Sequence, residues 1–197
     1  EWIKRWEADG VTKIDGIGSQ MHISCYMNEN TQRNKKNAIE NSFKLMAASG
    51  KLVRISELDM GIDDASGKAV PTDQVTEAMH KKMADLYEWI IKKYYEIIPV
   101  EQQWGICQWC ATDSPASSGW RANTPVGLWT LDWYRKHTYA GFAKGLGANV
   151  TAIEAINEVN DGAPVVVYDL SGRPVGNSDS NLPAGLYIKN GKKFIVK

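Results

Sequence analysis

Net charge is the first thing this chain lacks: 23 Lys and Arg balance 23 Asp and Glu, for a formal charge of zero. With no basic field to gather phosphate backbones or anionic headgroups, neither a nucleic-acid partner nor a membrane-surface role is expected. Long apolar runs are missing too. Lys92, Lys93 and Pro99 break the longest candidates short of the ~18 residues a spanning helix needs, so no membrane insertion is expected. Cysteine is scarce, and the odd set of Cys25, Cys107 and Cys110 supplies no disulfide framework of the kind that staples small secreted domains. Cys107 and Cys110 form C-x-x-C, but within a strand-like run from Trp104 to Ala111, where positions three apart face opposite sides. Two structural cysteines are therefore favoured over a redox or zinc pair. The first ten residues, Glu1 to Gly10, have no initiator Met, basic n-region, apolar h-region or small-residue cleavage site, and read as the last turns of a helix in mid-domain. Phe is rare at three residues, whereas Trp is abundant at eight. Because an indole N–H wants a partner, that excess points to a use for flat aromatic surfaces.

What is present alternates between two periodicities. Ile14 to Ile23 is an apolar run ending in polar residues, followed by a helix over about Asn34 to Ser49 closed by Gly50. Leu52 to Asp59 repeats the strand pattern, and Val75, Met79, Met83, Leu86, Ile90 and Tyr94 place a long helix within Pro71 to Ile98, with Thr72 as its cap and Pro99 beyond its end. Trp104 to Ala111 is a third strand, and a Ser/Pro/Gly-rich loop leads to a last helix near Tyr134 to Lys144. Strands alternating with helices indicate βα units on a parallel sheet, so the fold class is α/β. After Gly147 the pattern changes to short strands, Val165 to Tyr168, Gly185 to Ile188 and Phe194 to Val196, with Asn190-Gly191 as a hairpin turn. The domains expected are a barrel part over 1–147, a linker over 148–162 and a small all-β domain over 163–197.

Strand alternation sorts the polar residues. Gly18, Gln20 and His22 share one face, Ile55, Glu57 and Asp59 a second, and Cys107, Trp109 and Ala111 a third. At the C-terminal ends of neighbouring parallel strands, an amide, an imidazole, two carboxylates and an indole would meet on a βα-barrel's reaction face. A carboxylate can attack an anomeric carbon, His and Gln can orient it, and Trp can stack on a pyranose ring. Taken alone, Glu57 reads first as a buried ion-pair member with Arg54 or a Lys from elsewhere, and His22 as a satisfied core histidine. The cluster of Gln20, His22 and Asp59 around Glu57 tips the balance to catalysis. No metal or cofactor is called for.

At these residues the sequence resembles glycoside hydrolase family 10. Ile14-Asp-Gly-Ile-Gly-Ser-Gln-Met-His22 is similar to that family's sixth-strand motif, and Val53-Arg-Ile-Ser-Glu-Leu-Asp59 to its seventh. Trp109-Cys-Ala-Thr-Asp113 with Trp120 is similar to the eighth, although Cys110 replaces a usual Gly and extra residues precede Trp120. Leu128 to Phe142, with Arg135-Lys-His-Thr-Tyr139, is similar to the family's last helix and its aromatic-basic run. The resemblance covers about residues 1–147 and implies the last three βα units of a (β/α)8 TIM barrel. It also implies a retaining endo-β-1,4-xylanase that cleaves internal bonds of xylan. Glu57 would be the nucleophile, His22, Gln20 and Asp59 its supports, and Trp109 and Trp120 would bind xylan or xylo-oligosaccharide. A retaining site needs a second carboxyl about 5–5.5 Å away. In the family that acid/base Glu follows a Trp-x-x-x-Asn pattern on the fourth strand, so a missing N-terminal barrel segment or a complementing chain is implied as a partner. Ile156-Asn157-Glu158 imitates the motif without its strand and reads as coincidence. A catalytically incomplete fragment that only binds xylan or a related β-glucan is the alternative, and an unrelated barrel such as a cellulase relative is a third reading.

The tail has a resemblance of its own. Val165 to Arg173, Leu182 to Ile188 and Gly191 to Lys197 are similar to the C-terminal sorting domain of type IX secretion substrates of the Bacteroidetes, which implies a secreted or cell-surface protein. Elsewhere the plainer readings hold. His80 and His137 fall on helices as surface or packing residues, Lys81-Lys82 and Lys92-Lys93 on solvated faces, and every Trp except Trp109 and Trp120 is expected to serve packing.

Overall fold

The computed structural model describes residues 1–148, 166–169, 174–176, 182–189 and 192–196. Most of the expected linker, the Ile156-Asn157-Glu158 string and the Asn190-Gly191 turn lie outside the described residues. The chain divides into two compact units, Glu1–Ala148 and Asn149–Lys197.

The first unit opens with helix α1 (Trp2–Trp6) and continues as strand β1 (Gly16–Tyr26), helix α2 (Glu29–Ala47), strand β2 (Leu52–Asp63), helix α3 (Glu77–Ile97), strand β3 (Gln103–Gln108) and helix α4 (His137–Gly145). The three strands form a parallel sheet in the order β1-β2-β3. Parallel neighbours need a crossover, and the amphipathic helices supply it. Helix α2 starts five residues earlier than its apolar spacing suggests, because the Asn28 side chain caps it by accepting from the Thr31 N–H at 3.1 Å. Thr76, not Thr72, caps α3, its hydroxyl accepting from the Met79 N–H at 3.3 Å. Thr72 instead opens a short 3-10 turn. Helix α4 begins at His137 rather than Tyr134, since Trp129 and Arg135 pair across a tight turn in which Trp133 adopts φ 64°.

The core fills the space between one face of the sheet and the helices. Met21, Ile23 and Cys25 of β1 and Val53, Ile55, Leu58, Met60 and Ile62 of β2 pack against Ile39 and Phe43 of α2 and Met83, Leu86, Tyr87, Ile90 and Tyr94 of α3. The Tyr94 hydroxyl donates to Val53 O at 2.7 Å and accepts from the Gly105 N–H at 3.1 Å, joining β2 to β3. Helix α4 lies close against α3 because Gly141 and Gly145 carry no β-carbon: one at Gly141 would fall 2.1 Å from Ala84 O, and one at Gly145 2.6 Å from Ile91 Cβ.

Two further expectations are corrected. Ile55 does not share the face of Glu57: the β1–β2 register steps from Ser19↔Ile55 to Gln20↔Glu57, so Ser56 is an extra residue on β2. That bulge inverts the alternation, sending Ile55 with Leu58 and Met60 into the core while Glu57 and Asp59 take the opposite face. The second concerns tryptophan. Trp89 and Trp129 do pack against the core, but Trp2, Trp6, Trp104 and Trp133 are exposed. Trp2 and Trp6, one helical turn apart, face each other at 6.0 Å on a helix too short to bury either.

In the second unit, strands β4 (Val167–Tyr168), β5 (Pro174–Gly176), β6 (Gly185–Lys189) and β7 (Lys192–Val196) form an antiparallel sheet in the order β5-β4-β6-β7. Val167 and Tyr187 are buried, and the Tyr187 and Phe194 rings pair at 5.9 Å.

Candidate active site

Gln20 and His22 stand on the face of β1 opposite Met21 and Ile23, and Glu57 and Asp59 are their register partners on β2. The bulge at Ser56 is what brings Glu57 level with Gln20 and Asp59 level with His22. Glu57 is held at both oxygens: the Gln20 amide donates to Oε1 at 3.0 Å, and His22 Nε2 lies 3.0 Å from Oε2. Its side chain keeps 20% exposure, enough to meet a ligand while oriented by two neighbours. Arg54, the alternative partner, is turned away and stacks over Trp104 at 5.6 Å.

Asp59 plays a different part, being fully buried. Its Oδ1 accepts from Arg121 at 2.6 Å and its Oδ2 from the Trp120 indole N–H at 2.9 Å. His22 Nδ1 lies 3.0 Å from the same Oδ2, off the line of a hydrogen bond, so this buried nitrogen has no aligned partner. His22 therefore bridges two carboxylates, Glu57 on the open side and Asp59 beneath. Trp109 and Trp120 flank the imidazole edge-on, with ring centroids 6.1 and 4.6 Å away, and both indoles remain about half exposed. An apolar face left open beside a carboxylate suits a ligand with flat C–H surfaces, such as a pyranose ring.

All six residues singled out from the sequence thus meet in one place. Cys110 joins them unexpectedly, its Sγ 3.8 Å from Asp59 Oδ2. Strand β3 ends at Gln108, so alternation no longer governs where residue 110 points. Burial, then the Asp59 charge, pushes the Cys110 thiol up to about 11. The three cysteines are free thiols.

Arg121 was not evident from the amino-acid sequence. Its signal was weak, a single cation in a polar loop directly after a platform Trp. Lys136 is the other omission. Its ammonium is buried with Asp113, donating to Oδ1 at 2.5 Å, to Pro125 O at 2.9 Å and to Gly127 O at 3.1 Å. Desolvation lowers the Lys136 pKa, and the Asp113 charge opposes that shift. This pair closes the base of the long loop that carries Trp120 and Arg121. Among the described residues no group of three or more His, Cys, Asp or Glu is placed to hold a metal ion, and no helix is long and apolar enough to cross a membrane.

Comparison with known proteins places this geometry in a family. The chain is 32% identical over 117 residues to endo-beta-1,4-xylanase Xyn10C of Cellvibrio japonicus, covering 58% of this chain and 18% of that protein. It is 29% identical over 119 residues to endo-1,4-beta-xylanase A of Caldicellulosiruptor saccharolyticus, covering 58% of this chain and 31% of that one. Against the solved structure of native xylanase 10C from C. japonicus, the fold superposes with a TM-score of 0.57 at 25% identity, over 74% of this chain and 31% of the other. A mutant of that xylanase in complex with xylopentaose gives a TM-score of 0.58 at 25% identity, over 74% and 29% of the two chains. The chain thus spans under a third of the length of each of these relatives. Its three βα units are part of a TIM barrel, and the model of glycosyl hydrolase family 10 matches residues 1–144. On that match, the chain belongs to glycosyl hydrolase family 10.

Proposed function

We propose that this chain carries the nucleophile half of a retaining β-1,4-xylanase. The observation that carries the reading is Glu57, a partly exposed carboxylate at the reaction-face end of its strand, oriented through both oxygens by Gln20 and His22. In this mechanism a Glu57 oxygen attacks the anomeric carbon as the glycosidic C–O bond breaks, while an acid protonates the departing oxygen. Water then hydrolyses the glycosyl-enzyme ester, restoring the carboxylate. His22 and Gln20 orient the attacking oxygen, Asp59 positions His22 from below, and Trp109 and Trp120 stack on the sugars of xylan or a xylo-oligosaccharide. The xylopentaose complex of the C. japonicus relative favours that substrate class.

The acid is not Asp59, because that carboxylate is buried and engaged by Arg121 and Trp120. An N-terminal barrel segment or a complementing chain supplies it, in keeping with the small share of its relatives that this chain spans. Glu57→Gln and Glu57→Ala in the complete gene product should lower xylan hydrolysis by on the order of 10⁴-fold. Near-wild-type activity would sink the assignment. The 197-residue chain alone should bind xylo-oligosaccharides without cleaving them, and hydrolysis by it would overturn the half-site reading.

Residues 163–197, after a linker over 148–162, serve as a type IX sorting domain, so the enzyme works outside the cell, where a polymer must be met. The motif strings of the tail and its antiparallel sheet support this. Deleting 163–197 should retain the protein inside its native host; unchanged export would refute it.

A further inference from the structure

We infer that Arg121 is a positioning residue, whose guanidinium, seated over the bare backbone of Gly61, holds the Asp59–His22–Glu57 chain and the Trp120 platform in one geometry. The inference rests on the reading of Glu57 as the attacking carboxylate. A carboxylate as fully buried as Asp59 demands a cation, and Arg121 supplies it at 2.6 Å. Charge alone would not require arginine. The second guanidinium nitrogen donates to Ile23 O at 3.0 Å, so one rigid fork grips a side chain of β2 and the backbone of β1. These are the two strands that carry Glu57 and His22. The Asp59 oxygen opposite the fork takes the Trp120 indole, which fixes a sugar platform to the same carboxylate.

Two features of the backbone serve this contact. Gly61 lies two residues past Asp59 on the same face of β2, and a β-carbon there would fall 2.5 Å from the Arg121 guanidinium. Arg121 itself sits at φ 46°, in the left-handed region that a non-glycine residue enters only when its surroundings enforce it. The enforcement is visible on both sides: Ser114 and Ser118 hydroxyls donate to Trp120 O at 2.9 and 2.8 Å, and the Thr124 hydroxyl donates to Arg121 O. The loop is thus built to aim one guanidinium into the glycine-lined space under the site.

Its consequence is catalytic through His22. Asp59 Oδ2 lies 3.0 Å from His22 Nδ1 without an aligned hydrogen bond, but it also holds the Trp120 indole, whose ring packs edge-on against the imidazole at 4.6 Å, and the ring's other nitrogen meets Glu57 at 3.0 Å. A shift of Asp59 therefore moves His22, and with it the oxygen that attacks.

The test uses the complete gene product and 2,4-dinitrophenyl β-xylobioside, whose good leaving group makes kcat/KM report nucleophilic attack with little acid assistance. Active sites are counted by trapping with a 2-fluoro-xylobioside. Gly61→Ala retains every charge and collides only with the movable end of Arg121, so the fold should survive while the guanidinium is displaced. We expect Gly61→Ala and Arg121→Lys each to lower kcat/KM per site by about 10²-fold with the inhibition constant of xylobiose changed less than about threefold, the scale of a misplaced reacting group. Guanidinium ion at tens of millimolar should return about tenfold to Arg121→Ala, a rescue that a merely structural role would not show. If Gly61→Ala keeps kcat/KM within about twofold of wild type, the inference is overturned, whether or not the Arg121 variants fold. An active Glu57→Gln would refute the nucleophile reading instead. An inactive Glu57→Gln beside an active Gly61→Ala refutes the role of Arg121 alone.

Discussion

Replacing Lys136 by Met removes the donor at the base of the loop that carries Trp120 and Arg121. The ammonium makes three contacts, to Asp113 Oδ1 at 2.5 Å, Pro125 O at 2.9 Å and Gly127 O at 3.1 Å, and both charged side chains are under 5% exposed. Methionine fills a similar volume, so the loss is electrostatic rather than a cavity. It leaves Asp113 buried with the Gly127 N–H at 3.1 Å as its remaining donor and strands Pro125 O, while Gly127 O keeps the Thr138 hydroxyl at 3.1 Å. Breaking one side of a buried pair costs about 3–5 kcal/mol, most of it the stranded charge. With a urea slope of roughly 2 kcal/mol per molar, the unfolding midpoint should fall by about 2 M. Neutralising the partner separates the contributions. In the double variant Lys136→Met/Asp113→Asn the stranded charge is gone but Pro125 O still lacks its donor, so about 2 kcal/mol should return. The assay is urea denaturation of the 197-residue chain followed by tryptophan fluorescence. A midpoint shift under about 0.5 M for Lys136→Met at unchanged slope, or a double variant no more stable than the single, would refute the reasoning.

The imidazole of His80 should make the fold acid-sensitive, because burial, with Lys136 and His137 nearby, lowers its pKa from 6.5. The unfolded chain then takes up a proton that the folded one refuses, so stability should fall as pH drops below 6.5, and His80→Gln should flatten that slope in melts between pH 7 and 5. Cys110, at about 11, should be roughly 0.1% thiolate at pH 8 and alkylate about 100-fold more slowly with iodoacetamide than a free model thiol; equal rates would mean the thiol is not where it is described. Gly141→Ala should separate α4 from α3, since its β-carbon would meet Ala84 O at 2.1 Å, and cost about 1–3 kcal/mol, a fall of several degrees in Tm. A raised Tm would show that helix propensity outweighs the collision.

Much of the site was legible because its chemistry is local. Polar residues at the ends of apolar runs, such as Gln20 and His22 after Ile17, can be read without knowing where the chain goes next, and the motif order around Glu57 and Trp109 does the rest. Element ends were less legible. Asn28 and Thr76 compete with equally good capping candidates nearby, and only the actual hydrogen bonds to Thr31 and Met79 choose between them. The tryptophans misled for a related reason: composition says that indoles need cover, but Trp2 and Trp6 lie on a five-residue helix that gives them none.

The amino-acid order by itself therefore determined the βα alternation, which polar residues gather around Glu57, and the family. Periodicity and side-chain type act within a few residues, so they survive in the bare string. Three things waited for the tertiary structure. The extra residue at Ser56 decided which side chains of β2 face the site, because a shift of one position inverts a strand's faces. The loop path decided that Arg121, 62 residues after Asp59, would neutralise it. The same path buried Lys136 against Asp113, 23 residues apart. Contacts of that range depend on where the backbone returns, and burial turns an ordinary Arg or Lys into the counter-ion of a buried carboxylate.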